Sequence, residues 1–143
     1  MASLENLEQF EADLESKEQE VEETEQQLED VNNRLDKIES AISDLSEDQE
    51  VAQSVEKNQE QAQEDKEQIE EKRNELSSQL QDMENELTEM EEANNESESV
   101  INELNGIGED VSEAMEIVNT RKNEINNAKN KLKDLQSKLQ SKG

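Results

Sequence analysis

The sequence has no cysteine, histidine, proline, tryptophan or tyrosine, and its single aromatic residue is Phe10. Each absence excludes something. Without Cys there is no disulfide framework and no thiolate chemistry. Without Cys and His, carboxylates are the only common zinc ligands left. The most frequent general base is missing as well. Nothing forces a helix to break, because there is no proline. No apolar run approaches the ~20 residues that span a bilayer. A rounded core also lacks material, since only 28% of the chain is hydrophobic. Leu, Ile, Val and Phe make up about a fifth of it, at the border where disorder competes with folding.

Acid is what the chain has in excess. Its 143 residues carry 41 Asp and Glu against 14 Lys and Arg, a formal charge of −27. That balance favours solubility, opposes compaction and lacks the basic footprint that nucleic acid or anionic lipid requires. Neither is expected as a partner. The segment Met1-Ala2-Ser3-Leu4-Glu5 has no basic n-region and no apolar h-region. The expectation is a cytoplasmic protein, or one exported by a leaderless route.

Periodicity decides for helix over disorder. A 3–4 alternation runs through Leu7, Phe10, Leu14, Lys17, Val21, Thr24, Leu28, Val31, Leu35, Ile38, Ile42 and Leu45, with ten of the twelve positions apolar. Nearly all residues between them are polar. This is a sustained heptad seam. Glu outnumbers Asp 32 to 9, which suits helices because Glu is the better helix former. A second seam joins Val55, Ala62, Ile69, Leu76, Leu80, Met83, Leu87, Met90, Ile101 and Leu104, interrupted by Gln59, Lys66, Arg73, Asn94 and Ser97. A third joins Val111, Ala114, Val118, Arg121, Ile125, Ala128, Leu132, Leu135 and Leu139.

Two of the three glycines sit in Asn105-Gly106-Ile107-Gly108. Asn-Gly favours left-handed backbone, so this is the expected turn between the second and third helices. The first seam also runs out of phase with Ala52 and Val55. Either a stammer in one long helix or a turn at Leu45–Asp48 explains that shift. Ser46 followed by Gln49 fits a capping box for the turn. The expected helices are 4–45, 49–104 and 109–142, in a single domain spanning 1–143.

Antiparallel folding can be checked by arithmetic. In a hairpin turning at 46–48, facing residue numbers sum to about 93 or 94, which sets Ile38 opposite Val55, Phe10 opposite Met83 and Leu4 opposite Met90. A second hairpin with sums near 213 sets Leu80 beside Leu132 and Leu87 near Ile125. Charge supports it. No Lys or Arg lies between Asn74 and Thr120, whereas Asn119 to the end carries seven bases and two acids. The register sets Arg121 and Lys122 beside Glu92 and Glu91, Lys129 beside Glu84, and Lys131 beside Asp82.

The fold expected is all-α: an elongated antiparallel coiled coil, a three-helix bundle with a protruding two-helix arm over about Glu22 to Glu70. Catalysis is not expected, since the carboxylates lie on solvated faces and a narrow coiled coil has no sugar-sized pocket for a paired-carboxylate mechanism. No cofactor or metal site is expected. Glu109 and Asp110 follow the glycine turn, but their spacing is not that of a calcium loop, and complementing a helix N-terminus accounts for them. Met83, Met90 and Met115 read as core. Lys17, Lys66, Arg73 and Asn94 are polar seam residues that snorkel or fix register.

The functional expectation is a non-enzymatic protein–protein interaction module of adaptor, spacer or secretion-helper type. It would present helical faces to a helical protein or a second copy through Leu28, Leu35, Ile38, Ile42 and Val55. The outline resembles the small acidic helical-hairpin helpers of type VII-like secretion. Their Trp-x-Gly turn is replaced here by Asn105-Gly106-Ile107-Gly108, so no membership follows. The alternative is an assembly scaffold that docks through its basic C-terminal helix, Arg121 to Lys142.

Overall fold

The computed structural model describes residues 4–141. A single 3-10 turn, Leu4–Asn6, leads into α1 (Leu7–Asp44), followed by α2 (Gln49–Gly106) and α3 (Ser112–Ser141). At 1.5 Å per residue they measure roughly 57, 87 and 45 Å. Among the described residues there is no strand, and the helices pack against one another as an all-α bundle. Lys142, assigned from sequence to the third helix, lies outside the described residues.

The first break is a turn and not a stammer. α1 ends at Asp44, and Leu45 N–H reaches the carbonyls of Ala41 and Ile42. The cap of α2 is Asp48, whose Oδ1 accepts from Val51 N–H at 3.3 Å. The capping box expected from Ser46 and Gln49 is therefore replaced by one carboxylate two residues further on.

The second break sits later than expected. α2 runs through Asn105 and Gly106, and both are helical. Gly108 has φ +88, the only positive φ among the described residues. Gly108 N–H donates to Asn105 O at 3.1 Å, and Glu109 N–H donates to Leu104 O at 3.1 Å. Those two bonds form a Schellman closure with Gly108 at its left-handed position. Asn-Gly at 105–106 thus does not bend the chain. α3 begins only at Ser112, after Asp110 Oδ1 has accepted from Ser112 N–H and Oγ–H.

The core lies where all three helices run side by side. Leu7, Phe10, Leu14 and Val21 of α1 meet Leu76, Leu80, Met83, Leu87 and Met90 of α2 and Ile125, Ala128, Leu132, Leu135 and Leu139 of α3. This is the joint of the molecule, and each apolar side chain buried there contributes ~1.5–3 kcal/mol. The expected arm leaves the joint on one side, as the paired remainder of α1 and the first half of α2. A second, shorter arm leaves on the other side. The 3-10 turn at Leu4–Asn6 packs against α2 at the edge of this core, so among the described residues α2 beyond about Asn94 and α3 before about Val118 have only each other. The sequence reading had a single arm; the structure has two, pointing in opposite directions from a three-helix joint.

Candidate interaction surfaces

The first arm buries Thr24, Leu28, Val31 and Ala62 near the joint. Thr24 satisfies its hydroxyl on Glu20 O at 2.8 Å. Towards the tip burial fades. Leu35, Ile38, Ile42 and Val55 are half-buried and Val51 is exposed. Two helices cannot enclose a row that three enclose. Of the five residues expected to meet a partner, Leu28 is thus already taken up between α1 and α2, and four remain partly open. Beside them an open cleft of about 480 Å³ is lined by Gln27, Val31, Arg34, Asp65 and Ile69 among others. Arg34 Nη1 crosses it to Asp65 Oδ2 at 2.7 Å. That hydrogen bond, then one from Gln61, holds the Asp65 carboxyl below its usual value. Both partners are well solvated, so the pair contributes little to stability.

The second hairpin is laced by ion pairs one heptad away from the expected ones. Lys122 meets Glu98 at 3.3 Å and Lys129 meets Glu91 at 3.3 Å. Gln136 donates to Glu84 at 2.8 Å. In all three pairs the residue numbers sum to 220 and not to 213. The reason is the lean of helical side chains towards their own N-terminus. In an antiparallel pair, each long side chain leans towards a residue that lies past the backbone register. Lys131 departs further, reaching Glu18 of α1 at 2.9 Å instead of Asp82.

The polar seam residues divide. Lys17 Nζ bridges Glu20 on its own helix and Gln79 on α2. Arg73 lies 3.9 Å from Glu70 on the same helix. Asn94 is buried, and its Nδ2 donates to Val118 O on α3 at 3.1 Å. Met83 and Met90 are core, and Met115 is half-buried.

Acid chemistry is sparse. Burial first, then the facing Glu124, raises the Glu11 carboxyl above its usual value. Asp110 is held below its usual value by its bonds to Ser112. Among the described residues no group of three or more Asp or Glu is placed to hold a metal ion. No helix there is long and apolar enough to cross a membrane.

The largest apolar exposure lies at the second tip, which sequence reasoning missed. Among the described residues, Val100, Leu104, Ile107 and Ile117 are four of the five exposed large hydrophobic residues. The register that sets Leu4 opposite Met90 brings the described first helix alongside α2 only as far as Met90. Gly106, Gly108 and Asn105 sit at the end of this same tip.

The molecule is thus an all-α strut with a three-helix joint and two arms. Comparison with models of protein families, with curated proteins and with solved structures finds no match.

Proposed function

We propose that this chain is a non-enzymatic interaction module, an adaptor or spacer that presents helical faces to a helical protein or to a second copy of itself. The observation that carries the reading is the half-buried row Leu35, Ile38, Ile42 and Val55 on the first arm. Folding this arm orders some fifty residues at ~1–2 kcal/mol of backbone entropy each. The row returns only part of the ~1.5–3 kcal/mol that each side chain yields on full burial. A further helix laid along it would complete that burial. The acidic surface favours a protein partner over nucleic acid or anionic lipid.

The scaffold alternative would use the bases of α3 for docking. Lys122, Lys129 and Lys131 are instead engaged with Glu98, Glu91 and Glu18, which favours internal use.

Amide exchange over a concentration series, with sedimentation in parallel, tests the reading. The expected result is weak protection of residues 34–60 in the monomer and strong protection on association, with association abolished by L35S/I42S. A monomer that protects this arm as well as the joint would contradict it.

A further inference from the structure

The exposed residues of the second tip form a continuation of the seat that α1 occupies. On α2, Met90, Ala93, Ser97, Val100, Leu104 and Ile107 follow one another at spacings of three and four, so they form one stripe along the helix. Met90 is fully buried in the core beside α1. The outer members of the stripe are exposed where Met90 is not: 0% at Met90 against 52% at Val100, 40% at Leu104 and 75% at Ile107. On α3 the matching stripe is Ile117, Arg121, Glu124, Ala128, Lys131 and Leu135. It too faces α1 further down. Glu124 meets Glu11, Lys131 bonds Glu18, and Ala128 lines a cleft with Leu14. Ile117, at 48% exposure, ends that stripe. In an antiparallel pair, residues one position before the inward-facing ones lie on the same side of both helices. Val100 precedes half-buried Ile101, and Ile117 precedes buried Val118. Among the described residues, the groove between α2 and α3 therefore continues past Leu4, lined by Val100, Leu104, Ile107 and Ile117.

Charge selects the occupant. No Lys or Arg occurs from Asn74 to Thr120, and the exposed Glu96, Glu103 and Glu113 lie three or four residues from Val100, Ile107 and Ile117 along the same helices. A second copy has nothing suitable to insert. Its first arm carries an apolar row among mostly acidic neighbours, and the apolar face of its one basic helix, α3, is already buried.

We propose that this groove, lined by Val100, Leu104, Ile107 and Ile117, is a docking site for an amphipathic helix with basic flanks, supplied by a different protein and lying in line with α1. This goes beyond the reading above, which concerns the other arm, and either can fail without the other.

The probe is a synthetic helix of about three heptads, with Leu at the seam and Lys at the flanking positions. Its control has the same composition scrambled so that no apolar row forms. Titration into the full chain is followed by fluorescence anisotropy and backbone amide shifts. The ordered peptide should bind at least about tenfold more tightly than the scrambled one. Shifts should concentrate in residues 97–121, and V100S/L104S/I117S should remove the difference. These positions are exposed, so the variant should keep its helical signal. Should it lose that signal, the location of the shifts in the native chain decides alone. Equal binding of both peptides would reduce the effect to bulk charge and overturn the proposal. So would shifts centred on the first arm, or self-association of the chain that V100S/L104S/I117S abolishes, since the occupant would then be a second copy.

Discussion

Asn94 Nδ2 donates to the backbone carbonyl of Val118 at 3.1 Å, joining α2 to α3 in the last closed layer before the second arm. Both residues are only 1% exposed, and Asn94 Oδ1 is buried with no partner. A buried amide that is half satisfied costs stability and fixes register. Asn94→Leu is expected to raise unfolding free energy by ~1 kcal/mol in urea titration while loosening the α2–α3 register. Asn94→Asp should lower it by ~3 kcal/mol, since it leaves an unpaired charge. An Asn94→Leu protein that is less stable than the parent would show that the amide contributes more than register.

The two glycines of the second turn should respond with opposite sign. No atom lies within 4 Å of a Cβ added at either, so only backbone preference differs. Gly106 is helical, and Gly106→Ala should stabilise by ~0.5–1 kcal/mol. Gly108 has φ +88, and Gly108→Ala should destabilise by ~1 kcal/mol. Thermal melts of both variants check this; equal shifts would place the strain elsewhere.

Stability should rise on mild acidification. Burial, then Glu124 and Glu8, raises the Glu11 carboxyl above its ordinary 4.5. A raised carboxyl binds its proton more tightly in the folded chain, so its cost is present at neutral pH and is relieved as pH falls through the folded pKa towards 4.5. Asp65 and Asp110 have lowered values, so their contribution is full above 3.8 and is lost as pH falls through the folded values beneath it. Melting temperature should therefore climb from neutral pH to roughly 4.5 and turn over further down. Glu11→Gln should flatten the climb and leave the acid limb. Added salt should raise the neutral-pH value too, by screening the net charge of −27. A melting temperature that falls steadily from neutral pH to 4.5 would count against this assignment of Glu11.

Truncations should report the difference between joint and arm. Leu80 is fully buried among three helices, and Leu80→Ala should cost ~2–5 kcal/mol. Leu35 is half-buried between two, and Leu35→Ala should cost less, about 1–2 kcal/mol. Chemical denaturation of the two variants under one set of conditions gives the comparison.

How much of this was legible depended on range. The heptad stripe from Leu7 to Leu45 and the facing of Phe10 with Met83 follow from spacing alone, and the core has both residues in it. Gly106 and Gly108 look alike in a sequence. Which of them turns left-handed depends on where the carbonyls of Leu104 and Asn105 find donors, a matter of three-dimensional closure. Asp48 and Ser46 are both sound caps in a sequence, and only the fold shows that it is Asp48 Oδ1 that takes the Val51 N–H. The ion pairs were displaced a heptad because spacing gives the backbone register and ignores the lean of Lys129 and Glu91. The second arm was missed for a different reason. Apolar residues such as Leu104 read as seam whether or not a third helix covers them, and only their exposure in the fold tells the two cases apart.

The most direct test of the joint-and-two-arms account is residue-resolved amide exchange on the monomeric full chain. The account predicts maximal protection in residues 7–21, 76–94 and 118–139. Protection should fall progressively towards both ends, across 34–60 and across 97–117. Uniform protection along all three helices, or a maximum at either tip, would contradict it.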